Sequence, residues 1–196
     1  MASIQQVEGA KQFSNDKEKA VINEMLEAAK LMEKNDDQIS AQQQQVKGYM
    51  KNKQARPVNL RKTYELGAGN FIKKPTQIIS GNESQGSFWH VGVTGPAAVG
   101  SKGAVIYGHY DNNLPQLGWL LAWYKAENPD ERKVYVETGY LSRLINLEDN
   151  EVEQKLDAST NSSRYVDNET GASAAGDMIP WEKTNQALVG AAFIMP

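Results

Sequence analysis

The chain has 196 residues, a formal net charge of −3, a pI near 5.5 and no cysteine. That length suits one domain with a real core. The acidic balance offers no clustered basic face for nucleic acid. Without cysteine there are no disulfides, zinc–thiolate sites or thiol nucleophiles. No run approaches the roughly 20 apolar residues that span a bilayer. Met1-Ala-Ser-Ile-Gln-Gln6 lacks the basic start and apolar stretch of a signal peptide. The expectation is a soluble protein, cytoplasmic or released without a signal peptide.

Residues 1–13 read as a loose leader. Ser14-Asn15-Asp16 offers capping side chains, and Glu18 falls in the first turn, where the helix dipole favours an acid. From Lys17 to Lys34, Val21, Ile22, Met25, Leu26, Ala29 and Met32 recur at three- and four-residue steps, the period of an amphipathic helix. Asn35-Asp36-Asp37 marks a break. A second, more polar helix is expected from about Gln38 to Asn52, burying Ile39, Val46, Tyr49 and Met50. Two placements of this helical segment are open. It packs on the domain that follows, or it detaches and lies in a membrane interface. Its mixed-charge polar face and the lack of tryptophan on its apolar face count against the second.

From Arg56 the period changes to that of strands. Pro57–Leu66 alternates Val58, Leu60, Tyr64 and Leu66; Gly67–Asn70 is a turn; Phe71-Ile72 opens another extended piece. Short apolar or aromatic runs follow at Pro75–Gly81, Gly86–Val91, Gly100–Tyr107, Gly118–Tyr124 and Lys133–Glu137, each closed by Gly, Pro, Asn or Asp. Such spacing, with no helical period between the runs, calls for antiparallel sheets. Gly139–Val152 fits either a helix or a bent strand. Lys155–Thr170 reads as loop with a strand around Arg164–Val166, and Gly171–Gly176 as small-residue loop. Ala187–Ile194 reads as a buried strand. The fold expected is mainly β: an antiparallel β-sandwich over residues 56–196, behind a helical pair in residues 1–55.

The residues offer no catalytic centre. His90 and His109 lack partners at metal-ligand spacing, and no Gly-x-Ser-x-Gly elbow is present. Gly100-Ser-Lys-Gly103 lacks the spacing and the following helix of a phosphate loop. Asp130-Glu131 and Asp149/Glu151 sit in solvated context. The reading is of a protein that is not an enzyme and needs no cofactor or metal. Aromatics stand out instead: Trp89, Tyr107, Tyr110, Trp119, Trp123, Tyr124, Tyr135 and Tyr140. Any one of them can be core packing. Tyr and Trp also suit a boundary between apolar and wet surroundings. Their faces hold quaternary ammonium by cation–π attraction of roughly 0.5–2 kcal/mol per contact.

Ile78–Gly81, Gly86–Val91, Ala97–Tyr107 and Trp119–Trp123 resemble the jasmonate-induced protein family of plants and the nakanori-type proteins that bind sphingomyelin with cholesterol. More distantly, the same order of pieces looks like the actinoporins, whose sandwich grips phosphocholine. The similarity covers roughly Arg56 to Gly139 well and the C-terminus weakly. It implies an actinoporin-like sandwich and a lipid-headgroup site. Carried over by position, Lys102 lies on a glycine-rich edge as a phosphate contact. Trp123 and Tyr124 end the strand before a turn at Pro129, and Tyr140 opens a later tyrosine segment; these three would cradle choline. The partner implied is sphingomyelin with cholesterol at a membrane surface, not nucleic acid. The chain departs from the pattern at Asp130-Glu-Arg-Lys133, where the actinoporins carry a dense aromatic run, and the later segment keeps only Tyr140. Two helices precede the sandwich, with no counterpart to the membrane-entering actinoporin helix, so binding without pore formation is expected. A carbohydrate-binding lectin, or a stress-induced protein acting through protein partners, are the alternative functions.

Overall fold

The computed structural model describes residues 22–27, 29, 43–67, 69–93, 100–109, 116–127, 131–181 and 185–195. The leader, its capping residues, the break at 35–37, Tyr110 and Pro129 lie outside the described residues, as does most of the first helical stretch. Where that stretch is described, residues 22–27 and 29 are helical (α1), and Ile22, Met25, Leu26 and Ala29 are buried. Three- and four-residue steps put these side chains on one helix face.

Among the described residues eleven strands form two sheets. They are β1 (Gln45–Asn52), β2 (Val58–Tyr64), β3 (Gly69–Lys73), β4 (Ile78–Ile79), β5 (Ser84–Gly92) and β6 (Ser101–Gly108), then β7 (Leu117–Lys125), β8 (Arg132–Tyr140), β9 (Ser162–Val166), β10 (Ser173–Pro180) and β11 (Gln186–Ile194). Between β8 and β9 come α2 (Leu141–Ile145) and α3 (Asp149–Asp157), which resolves the ambiguous stretch as helix. The six-stranded sheet runs β3-β5-β1-β11-β10-β9 and the five-stranded sheet β4-β2-β6-β7-β8. Pairing is antiparallel throughout except for β1 with β11, which is parallel. The mainly β sandwich expected from the sequence is therefore present.

Two expectations are overturned. Residues 45–52 are not the end of a second helix but β1, in the interior of the six-stranded sheet. The sandwich thus begins at least as early as Gln45. Val46 and Met50 are spaced for a helix, yet they also fit a strand in which Val46, Gly48 and Met50 share one face. Gly48 decides it, because the Phe88 ring lies across the strand there and a Cβ would fall 1.9 Å from it. The small-residue run Gly171–Gly176 is loop only at its first two residues, since β10 starts at Ser173. Its residues are small because both faces are covered: Ala174 belongs to the core between the sheets, and Ala175 lies under α1.

Coverage on both faces organises the whole molecule. Between the sheets, Val46, Met50, Phe88, Val105, Trp119, Leu121, Trp123, Val136, Val189 and Phe193 pack into one core. Outside the five-stranded sheet, Leu141, Leu144, Leu147, Val152 and Leu156 close over Tyr64, Ala104, Ile106, Leu120 and Ala122. Outside the six-stranded sheet, Ile22, Leu26 and Ala29 close over Ala175, Leu188 and Ala192. A strand covered on both sides carries a continuous apolar run rather than an alternating one. That explains Leu117–Trp123, in which every residue is buried.

Candidate functional site

Alternation along β7 separates the two adjacent aromatics expected to share a cage. Trp123 points inward: it is fully buried, its ring centroid lies 4.3 Å from that of Phe88 and 5.5 Å from that of His90, and its indole N–H has no partner. Gly103, opposite it on β6, makes the room, since a Cβ there would come within 2.8 Å of the indole. Gly103 therefore serves packing, while Gly100 serves the backbone, with a φ of 96° just before β6. Tyr124 points the other way, toward the helical layer, and is half-buried. Tyr140 is 39 % exposed, but it pairs with Leu117 while Tyr124 pairs with Lys133. Seven strand steps separate the two tyrosines, about 23 Å at a strand's rise. A single cage of Trp123, Tyr124 and Tyr140 is thus corrected on geometric grounds: one ring is in the core and another is at the far end of the sheet.

Tyr124 and Lys102 do come together, and the charges around them define the site. The Lys102 ammonium lies 5.1 Å from the Tyr124 ring centre and bonds Glu153 Oε1 (2.6 Å) and Asp157 Oδ1 (3.0 Å) of α3. Lys133 lies 6.0 Å from the same ring; it donates to the Asp157 carbonyl (2.9 Å) and pairs with Glu131 (3.3 Å). Burial alone would lower the Lys102 pKa. Its hydrogen bonds to Glu153 and Asp157 outweigh that and hold the pKa above its ordinary value, so the group is charged at neutral pH. Burial, and then the nearby Glu131 charge, push the Tyr124 phenol up, so it stays neutral. The corner is an aromatic face ringed by ammonium and carboxylate groups. Chemically it can meet both charges of a zwitterion.

The polar groups around Glu137, Lys47 and His90 are closed. Beneath α2 and α3, the buried Glu137 carboxylate accepts from Tyr135 (2.7 Å), Lys155 (2.8 Å) and Arg143. Burial would raise its pKa, but these three donors hold it below the ordinary carboxylate value. Both its oxygens are engaged, so it ties helix to sheet. Lys47, 2 % exposed, sits 4.0 Å from the Trp89 ring centre and 4.2 Å from that of Trp181. This two-tryptophan slot is filled by the protein's own ammonium. His90 is buried against Phe71 and Trp123, with Nδ1 2.8 Å from Ser101 Oγ, and burial brings its pKa down to about 4. Among the described residues no group of His, Asp and Glu could hold a metal. Among them, too, no helix is long and apolar enough to cross a membrane.

Comparison with known proteins agrees with the resemblance read from the residues. Superposition on the crystal structure of the lipid binding protein Nakanori gives a TM-score of 0.67 over 91 % of this chain and 83 % of that one, at 20 % identity. At that identity the likeness is one of fold. A jasmonate-induced protein homolog from Atriplex canescens is 33 % identical over 102 residues, 50 % of this chain. The match spans 54 % of that protein's length, so the chain covers about half of its curated relative. No family model matches the chain.

Lys133, Glu153, Asp157 and Glu131 were not singled out from the sequence. The signal for Lys133 was present: tracing β7 back along β8 pairs it with Tyr124. Nothing in the sequence announced that α3 would fold over that pair.

Proposed function

We propose that this chain is a non-enzymatic, peripheral membrane-binding protein. It takes the phosphocholine headgroup of sphingomyelin, in cholesterol-containing bilayers, at the Tyr124 corner and forms no pore. The observation that carries this reading is the half-buried Tyr124 ring flanked by Lys102 and Lys133 and by the Glu153 and Asp157 carboxylates, on a sandwich of the Nakanori type. A choline group set against the Tyr124 face gains roughly 0.5–2 kcal/mol from the ring. Glu153 and Asp157 add attraction from the side. The phosphate then falls to Lys133, whose charge-assisted bonds are stronger than neutral ones, while the buried Lys102 holds Glu153 and Asp157 at the corner. Trp123 supports this corner from the core side and does not touch the lipid. Tyr140, at the opposite end, stands apart from it. A corner this thin holds one headgroup weakly, so firm binding depends on a lipid assembly that presents many headgroups.

Vesicle sedimentation tests the proposal. Vesicles of sphingomyelin with cholesterol should carry the protein down, vesicles of phosphatidylcholine alone should not, and entrapped dye should stay inside. Tyr124→Ala should lose binding while keeping the thermal midpoint of the parent. Equal sedimentation with both vesicle types would defeat the assembly specificity. Unchanged binding by Tyr124→Ala would defeat the site.

A further inference from the structure

The end of the sandwich away from Tyr124 holds a second polar concavity. Lys53, Gln54, Ala55, Arg56, His109 and Met195 line a pocket of about 370 Å³, within the usual range for small-molecule sites. It is made by the β1–β2 connection, the residue that follows β6 and the residue that follows β11. Lys102 is the second residue of β6 and His109 follows its last, so about 23 Å of strand separates this pocket from the Tyr124 corner.

The loop is built rigidly. Asn52, fully buried, donates through Nδ2 to Arg56 O (2.8 Å), Ser80 O (3.0 Å) and Ile79 O (3.3 Å), and its Oδ1 accepts from Gln54 N (3.3 Å). The Gln54 carbonyl accepts from Asn82 N (2.8 Å). His109 Nε2 hydrogen-bonds Gln54 Oε1, which fixes the carboxamide. The NH2 end of that carboxamide is buried with no partner, on a residue only 6 % exposed. A buried donor left unsatisfied costs about 1–3 kcal/mol, and an acceptor entering the pocket would recover it. Two cationic side chains, Lys53 and Arg56, line the same space. Lys53 pairs at 3.7 Å with Glu83, which is exposed and also paired with Lys51. Ala55 and Met195 supply an apolar wall.

We propose that this pocket binds the phosphate group of a small soluble phosphomonoester. Lys53 and Arg56 bring positive charge to the pocket, the Arg56 guanidinium suits the oxygens of a phosphate, and the Gln54 amide donates to one oxygen. The small organic part rests on Ala55 and Met195. The distance from the Tyr124 corner argues for a ligand from solution rather than from the membrane bound there, and the inference stands independently of the headgroup reading.

Thermal unfolding of the full chain tests it, with glycerol 3-phosphate and inorganic phosphate as probes against sodium chloride at matched ionic strength. Both phosphates should raise the midpoint beyond the chloride control, as any ligand of the folded state does. Arg56→Gln and Lys53→Gln should each weaken the apparent affinity by about tenfold or more, whereas Lys73→Gln, on the exposed surface of β3, should not. Lys53 lies at the open rim, so its variant should fold even if Arg56→Gln does not. Sedimentation with phosphatidic acid vesicles separates the sources: capture that depends on Lys53 would make the ligand a lipid and overturn the soluble assignment. A midpoint no higher than in chloride, or a phosphate response retained by Lys53→Gln, would overturn the site itself.

Discussion

The two faces of the five-stranded sheet are both buried, but by different physics. Its inner face meets the other sheet through rings and branched chains: Trp119, Trp123, Val105, Leu121 and Val136 against Phe88, Val189 and Phe193. Its outer face meets α2 and α3 through an apolar patch that is strapped at the margins by polar bonds. Lys102 ties to Glu153 and Asp157; Lys155 and Arg143 tie to Glu137; Lys62 donates to Leu147 O (3.0 Å) and Tyr64 to the same carbonyl (3.0 Å). Dense packing responds to lost volume. Partly exposed ion pairs respond to salt and pH. The difference teaches that the sandwich and its helical cover can be weakened separately, and that the proposed headgroup corner belongs to the cover.

The largest effect should come from the inner face. Trp123→Ala leaves a cavity between the sheets and should cost about 3–5 kcal/mol, read from denaturant unfolding. If it costs no more than the outer-face variants below, the contrast between the faces is wrong. Next comes acid. The His90 pKa in the folded chain, about 4, lies below its ordinary 6.5, because burial among rings disfavours the imidazolium. The unfolded chain therefore takes up a proton first. The stabilisation is complete above pH 6.5 and is lost as the pH falls from there toward 4, a span worth about 3 kcal/mol. His90→Gln should flatten stability over that interval. Glu137 acts lower on the scale, since its three donors hold its pKa below 4.5. Its contribution is full above 4.5 and disappears as the pH falls through the lowered value. Glu137→Gln should cost about 2 kcal/mol at neutral pH, discounted because Arg143 and Lys155 are partly exposed. It should also remove the lower of the two acid steps.

How much of this was legible follows from where the information lies. Strands β2 and β5 to β8, together with β11, announce themselves through apolar runs and turn residues, which are local. β1 was hidden because Val46 and Met50 satisfy two periods at once, and only Phe88, forty residues away, makes Gly48 necessary. β10 was hidden because alanine and glycine carry no strand signal; they are small because the layers on both sides come close. In the site, Lys102 and Tyr124 came together because cross-strand register is nearly local. Trp123 was misassigned even though strand alternation alone places neighbouring side chains on opposite faces. Tyr140 was misassigned because its distance depends on the strand pairing, and Glu153 and Asp157 because their approach depends on a helix folding back.

The smallest effect sharpens the comparison most. Lys102 and Trp123 lie close together on neighbouring strands and are both nearly inaccessible, yet they belong to opposite faces. Lys102→Gln removes an ammonium whose partners Glu153 and Asp157 are 44 % and 50 % exposed, so water can take over much of their solvation. The global cost should stay below about 1 kcal/mol and shrink further as salt is added. The local cost should be visible all the same, because Lys102 bonds the side chains of both Glu153 and Asp157 of α3 to the sheet. Amide exchange in α3 should speed up in Lys102→Gln while exchange in β7 stays slow, the mark of a cover opening over an intact sandwich. Uniform acceleration in α3 and β7 together would mean that the two layers unfold as one. The separation between packing on one face and straps on the other would then not hold.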